Sequence, residues 1–561
     1  MYTYTPFDLA FVQQRAQQYQ DQLQRYLAGK LSDDEFRPLR LQNGWYVQRH
    51  APMLRVAIPY GELRSEQLRV LAKIAREFDR DYGHFTTRQN IQYNWIPLEK
   101  SADVMLLLAS VGMHGIQTSG NCIRNITSDE RAGIAVDEIV DPRPFCEIIR
   151  QWSTLHPEFA FLPRKFKIAV TGAQEDRAAV AWHDVGLHVR RNEAGEVGFR
   201  VLAGGGMGRT PIVATTIREF LPWAEILNYL EALVRTYNRY GRRDNMYKAR
   251  IKILVKAEGH KFIDDVEAEY RQIVSQDGAP HTLTQAELDR VQACFMPLRS
   301  DLALRPIPPV AAEEEKAFQK WLSRNVASHQ NPQLRAVTLP LKRLGIAPGD
   351  ASADVLDALA TLADDFSAGQ ARVTHDQNVL LPWVDQADLP ALWQTAKKLG
   401  LANATVGLLT DMITCPGGDF CALANARSLP VAEAITARYQ DLDELHDLGP
   451  IDLHISGCIN SCGHHHTGHI GILGVDKDGQ EWYQVLLGGS DGSRLSGTPG
   501  AAKVVGPSFS AMEVPEVIEA VLDAFAAQRQ DQETFIQTLR RVGFEHFKIA
   551  ANSVRVQTAK A

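Results

Sequence analysis

The chain has 561 residues, 45% of them hydrophobic and 23% charged, with a formal net charge of −7. That length calls for more than one core, and the acidic balance excludes the basic excess of a general nucleic-acid binder. No run reaches eighteen uninterrupted apolar residues, so no transmembrane helix is expected.

The opening, MYTYTPFDLAFVQQRAQQYQ, lacks a cationic stretch leading into an apolar one. It does not read as a secretory signal, and a cytoplasmic location is expected. Glutamine-rich residues 8–28, with apolar Phe11, Val12, Tyr19, Leu23 and Leu27, predict a surface helix ending near Gly29. Further along, β-branched runs such as LRVAIP from Leu54 and KIAV from Lys167 alternate with helical stretches such as SADVMLLLASVGMHG from Ser101. That mixture predicts an α+β fold. Prolines followed by acids in RPIPPVAAEEEK, from Arg305, predict a linker between two halves.

The halves echo each other. LRVAIPYGEL from Leu54 matches LRAVTLPLKRL from Leu334, FTTRQNI from Phe85 matches VTHDQNV from Val373, and VGFRVLAGGG from Val197 matches WYQVLLGGS from Trp482. The order is kept and the offsets run from 280 to 288 residues. That period is far too long for a solenoid and predicts duplication of a whole α/β unit, with the active site between the copies. Arg55 and Arg335 are expected in matching strands.

Four of the seven cysteines crowd into one region as Cys415-x5-Cys421 and Cys458-x3-Cys462. Thiolates are soft ligands that select zinc or iron–sulfur centres. The five-residue gap fits structural zinc poorly, and the common ferredoxin spacings do not match either. Spacing alone leaves a cluster, zinc and unrelated thiols open. Cys122, Cys146 and Cys294 are singletons that read as small buried residues. Lys165 and Lys167, two apart on an extended chain, point the same way. They form either a solvated face or one held together by an anion. Gly204–Gly206 and Gly488–Gly489 lack the spacing and lysine of a phosphate loop. His464, His465, His466 and His469 read as packing and hydrogen bonding after Cys462 more than as a metal box.

The segments TCPGGDFCALAN and SGCINSCGHHH, set in a duplicated chain, resemble the siroheme-dependent sulfite and nitrite reductases, and the resemblance runs from about Arg40 past Gly489. It implies an internally duplicated α+β fold about a pseudo-two-fold axis, with ferredoxin-like half-domains and mixed-sheet siroheme and cluster lobes. The expected divisions are an N-terminal helical arm over 1–45, half-domains over 46–118 and 331–404, a siroheme and substrate lobe over 119–304, a linker over 305–330, and a cluster lobe with C-terminal helices over 405–561.

The resemblance further implies that Cys415, Cys421, Cys458 and Cys462 ligate a 4Fe-4S cluster, with Cys462 also bridging to siroheme iron. Arg55, Arg124, Lys165 and Lys167 match the family's anion-site motifs. Arg88, Gln92, Asn94, Arg250 and Asn460 resemble siroheme contacts, whereas His84 stands where some members carry Arg. The implied reaction is six-electron reduction of sulfite to sulfide, because side chains cannot store such electrons and cofactors must carry them. A siroheme nitrite reductase making ammonia is one alternative, and a cluster-bearing electron-transfer protein without a substrate site is another. Lys at both positions of the KFK motif resembles the sulfite-type members. No Rossmann or flavin motif is visible, so the electrons come from a partner, either a flavoprotein subunit or a ferredoxin. No nucleic acid or membrane partner is expected.

Overall fold

The computed structural model describes residues 2–48, 52–298 and 302–558. Among them, four five-stranded sheets form two pairs. The first sheet runs in the order Trp45–Val47, Pro52–Val56, Ile91–Tyr93, Tyr82–Phe85, Asp350–Ser352, and its counterpart runs Val326–Ser328, Leu334–Leu339, Val379–Asp385, Gln370–Val373, Glu62–Arg64. Each half thus lends one short strand to the other's sheet. Arg372 pairs with Glu62, and 288 residues out of step His84 pairs with Asp350. Both cross-half pairs carry a polar link: Arg372 to Glu62 at 3.1 Å and His84 Nδ1 to Asp350 at 2.7 Å.

The helices Ser65–Phe78 and Ala353–Phe366 pack against each other behind these two sheets. Their apolar positions recur at helical spacing. Leu68, Leu71 and Ile74 meet Leu356, Leu359 and Ala363 in one core shared by both halves. Ser352 caps the second helix by accepting from Val355 N. The other two sheets are mixed and alike in topology. Thr127–Ser128, Ile168–Thr171 and Val185–Arg191 are parallel neighbours, followed by antiparallel Val197–Ala203 and Thr215–Pro222. Ile413–Thr414, Leu453–Ser456, Ile470–Lys477, Gln480–Leu487 and Lys503–Val504 repeat that order. Each of these lobes has its own core.

The duplication extends to single hydrogen bonds. Gln89 and Gln377 both take positive φ, 55° and 61°, a conformation that costs a non-glycine residue about 1 kcal/mol or more. The bonds each amide makes across the halves hold it there. Gln89 Nε2 donates to Ser128 O and Val373 O, and Gln377 Nε2 donates to Thr414 O and Phe85 O. Each Oε1 accepts from the matching backbone amide, Ser128 N or Thr414 N. Gln377→Ala strands several buried backbone groups. It is expected to destabilise the protein by roughly 3 kcal/mol, read as a lowered Tm; an unchanged Tm would remove this latch from the account.

One expectation needs correction. The segment 305–330 is not all linker: it carries the helix Glu315–Asn325 and the strand Val326–Ser328, because Phe318 and Trp321 bury one helix face despite the acidic approach. Arg55 and Arg335 do lie in matching strands, but not at matching positions. Val56 pairs with Ile91 while Leu339 pairs with Val379, so the counterpart of Arg55 is Thr338. A register shift between Arg335 and Val337 accompanies the difference.

Candidate active site

A polar cavity opens between the halves. Arg55, Arg88, Gln92, Arg124, Lys165 and Lys167 line it from the first half, and Cys415, Asn460 and Cys462 from the second. Asn94, Arg250, Cys421 and Cys458 lie outside that lining. The duplicated fold brings these together because strand ends and following loops of both halves converge on the pseudo-two-fold axis.

Neutral oxygens position the arginines. Thr118 O accepts from Arg124 Nη1 at 2.8 Å, Arg55 Nη1 at 3.3 Å and Tyr46 OH at 3.2 Å. Arg124 Nη2 donates to Gly120 O at 2.8 Å. Arg55 pairs with Gln92 in the ladder and donates to its Oε1 at 3.2 Å, and Gln92 Nε2 reaches Asn94 Oδ1 at 3.4 Å. Arg88 donates to Thr127 Oγ1 at 3.0 Å and Asn125 O at 2.5 Å. Carbonyls and amides orient these guanidiniums without cancelling their charge. Burial, then the adjacent Arg124, pulls Arg88 down to about 9. An arginine does not lose its proton in a protein, so this buried charge favours an anion beside it.

Lys165 and Lys167 flank Phe166, which is buried and bridges to Ile123, so both lysines face the cavity. Burial pushes Lys165 down to about 7, with Arg124 and Arg250 adding to the effect and Cys462 opposing it. Burial and then Lys165 push Lys167 well below the ordinary lysine range. Two ammonium groups here call for a compensating anion. Asp184, which the sequence did not single out, organises this wall. It accepts from Lys167 N at 2.8 Å and pairs with Arg250 at 2.8 Å, fixing one cation by its backbone and another by its side chain. Its partners are 17 and 66 residues away, so no local pattern announces it.

On the opposite wall, two cysteine loops pack backbone to backbone. A Cβ on Gly457 would lie 2.6 Å from Gly417 Cα, and one on Gly463 would lie 1.9 Å from Ile455 O. Only glycine permits that approach. The four thiols act on one another electrostatically. Burial and then Cys462 raise Cys415 to about 12, while Gly457 N donates to its sulfur at 3.3 Å. Among the described residues no three His, Cys, Asp or Glu side chains form a single-ion site. The soft four-thiol set and glycine cradle fit an iron–sulfur cluster, and the nearby cations without carboxylate partners fit the carboxylates of siroheme.

His84 lines the same cavity but is tied to Asp350, and Gln377 Nε2 lies 3.2 Å from its other ring nitrogen. His466 Nε2 lies 3.0 Å from Gly208 O, His469 Nε2 lies 3.1 Å from Ser496 Oγ, and His465 is fully buried. His466 and His469 hydrogen-bond around the second cysteine loop, whereas His465 is held there by packing alone.

Comparisons with known proteins agree with this arrangement. Residues 119–273 and 407–558 match the family described as nitrite and sulphite reductase 4Fe-4S domain, and residues 46–111 and 342–399 match the nitrite/sulfite reductase ferredoxin-like half domain. The chain is 29% identical to a protein named sulfite reductase (ferredoxin) 1 of Mycolicibacterium paratuberculosis, over 88% of this chain and 83% of that one. It is also 29% identical to the assimilatory ferredoxin-dependent nitrite reductase of Haloferax mediterranei, over 88% and 82%. The solved structure of the NirA protein of Mycobacterium tuberculosis matches with a TM-score of 0.73 and 25% identity, over 92% of each chain. The duplicated fold, the four-cysteine wall and these matches place the chain in the nitrite and sulfite reductase family, oxidoreductases that carry siroheme and a 4Fe-4S cluster.

Proposed function

We propose that this chain reduces sulfite to sulfide, with a separate ferredoxin as electron donor. The observation that carries the choice of anion is the buried pair Lys165 and Lys167, set beside Arg55 and Arg124. Sulfite is largely a dianion near neutral pH and nitrite is a monoanion. In a poorly solvated pocket a second ammonium favours the dianion. Relatives named for each substrate share similar identity, so the lysine pair carries the choice.

In this reading Cys415, Cys421, Cys458 and Cys462 would hold the cluster, and Cys462 would also serve siroheme. Arg88, with Gln92, Asn94 and Asn460, would offer the ring charge and hydrogen bonds, whereas Arg250 is already paired with Asp184. When bound, the two cofactors supply the electrons and the iron centre. The protein's residues do the rest. Arg55 and Arg124, held on the one carbonyl of Thr118, grip the anion's oxygens. Lys165, brought to about 7 chiefly by burial, gives up and regains a proton near neutral pH. Asp184 holds Lys167 and Arg250 in place through these cycles.

Steady-state assays with reduced ferredoxin, and in parallel with an NADPH-linked flavoprotein, test this directly. The expected result is turnover with ferredoxin and a higher kcat/KM for sulfite than for nitrite. A wild-type enzyme that prefers nitrite overturns the sulfite assignment, and turnover with the flavoprotein alone overturns the donor.

A further inference from the structure

The start of the helix Ile251–Glu258 carries two cations, Arg250 and Lys252. Arg250 pairs with Asp184, which accepts from Lys167 N and so holds the segment that carries Lys167. Lys252 is buried, and its ammonium bonds to carbonyls. Nζ donates to Met207 O and Thr210 O, each at 2.6 Å, and to Gly206 O at 3.4 Å. An ammonium has three N–H groups and no acceptor, so these three oxygens use it fully.

The carbonyls belong to a turn in the connection between the strands Val197–Ala203 and Thr215–Pro222. Gly206 and Ile212 close the turn by exchanging two backbone bonds, both at 2.9 Å. Residues of this turn meet the second cysteine loop of the other half. Gly208 O accepts from His466 Nε2 at 3.0 Å. Ser461 Oγ lies 3.8 Å from Met207 Sδ. A Cβ on Gly208 would lie 3.7 Å from Ile459 O, so the two backbones lie side by side. Ser461, between Cys458 and Cys462, takes a φ of 56°. A non-glycine residue stays in that conformation only where its surroundings enforce it. The other half reaches back in the same manner: Ser490, in the connection after Gln480–Leu487, accepts from Trp182 Nε1 at 3.0 Å.

We propose that Lys252 is a positioning residue for the cluster: it locks the turn 206–210, and the turn sets where the second cysteine loop stands against the anion site. The inference rests on the cysteine assignment above and does not depend on which anion is reduced. Carbonyls aimed at one buried point are costly unless a donor stands there. Without the ammonium the turn opens, and Gly208 and Met207 withdraw from His466 and Ser461. Arg250 and Lys252 thus tie the anion wall and the cysteine wall to one helix start.

Lys252→Met keeps the length of the side chain and removes its three donors. In the holoenzyme, amide hydrogen exchange should quicken about tenfold in 204–212 and also in 456–467 of the other half. The siroheme band should shift with iron content unchanged. The kcat should fall between about tenfold and a hundredfold, the scale of a displacement of about 1 Å, with KM for the anion within about twofold of wild type. His466→Leu releases the same turn from the opposite side, so in the double variant the two losses should not multiply. Exchange that quickens in 204–212 alone overturns the proposal, because Lys252 then serves only its own turn. Loss of siroheme with both segments still protected also overturns it, because Lys252 is then a direct contact of the ring. If Lys252→Met does not fold, His466→Leu carries the test, and a wild-type band and rate in that variant overturn the proposal. Failure of the cysteine assignment is read separately, from a Cys421→Ser protein that keeps its cluster, and takes this proposal with it.

Discussion

Cys421→Ser is expected to abolish the 4Fe-4S absorbance and essentially all reductase activity, and to disturb siroheme through Cys462. Cys421 stands in the loop held by Gly417, whose carbonyl accepts from Cys421 N at 2.9 Å, so the loop presents its sulfur at a fixed place. Burial raises the thiols at 415, 421 and 458, and they ionise readily only when iron takes the sulfur. A serine oxygen is a harder and poorer donor to that centre. The backbone is untouched by the exchange, so the loss belongs to ligation and not to folding. Cys122→Ser, Cys146→Ser and Cys294→Ser should keep the cluster: Cys146 is fully buried among apolar residues, Cys122 donates to Ser119 O, and Cys294 to Arg290 O. Iron and sulfide analysis with the visible spectrum decides the matter. A Cys421→Ser protein with a full cluster and full activity would falsify the assignment.

The sequence shows the duplication because three short segments kept their letters, and it shows the cysteine wall because the ligands of each pair are close in the chain. What it hides is non-local. The exchange of Glu62–Arg64 and Asp350–Ser352 between sheets pairs residues 266 to 310 positions apart, and neither strand has a pattern that tells whose sheet it joins. The echo of Leu54-Arg55 with Leu334-Arg335 is a resemblance of letters that the ladder does not follow, since Arg55 corresponds to Thr338. Lys165 and Lys167 could be read as facing one way, but Asp184 beneath them could not. Asn94 resembles a siroheme contact by its letters, and its bond to Gln92 ties it to the group that holds Arg55.

Lys167→Asn is expected to lower kcat/KM for sulfite by about a hundredfold, the scale of one lost charge-stabilising donor. For nitrite the loss should be smaller, so that the preference shifts toward nitrite by about tenfold. The substitution spares the fold, because Asp184 holds Lys167 through its backbone N, which asparagine keeps. It also relieves the free enzyme. Lys167 is pushed well below the ordinary lysine range by burial and then by Lys165, so its removal ends the penalty of charging it beside Lys165. The pH dependence follows with a definite sign. Lys165, near 7 in the free site, is charged below that value and neutral above it. Sulfite affinity in the wild type should therefore weaken as pH rises through 7, offset in part by the fuller ionisation of sulfite itself. In Lys167→Asn that weakening should stay at the same pH, because burial, Arg124 and Arg250, which lower Lys165, are all kept. Rates for both anions with one donor, measured across pH, separate these effects. An unchanged ratio between the anions would remove Lys167 from the discrimination and leave the sulfite preference to Arg55, Arg124 and Lys165.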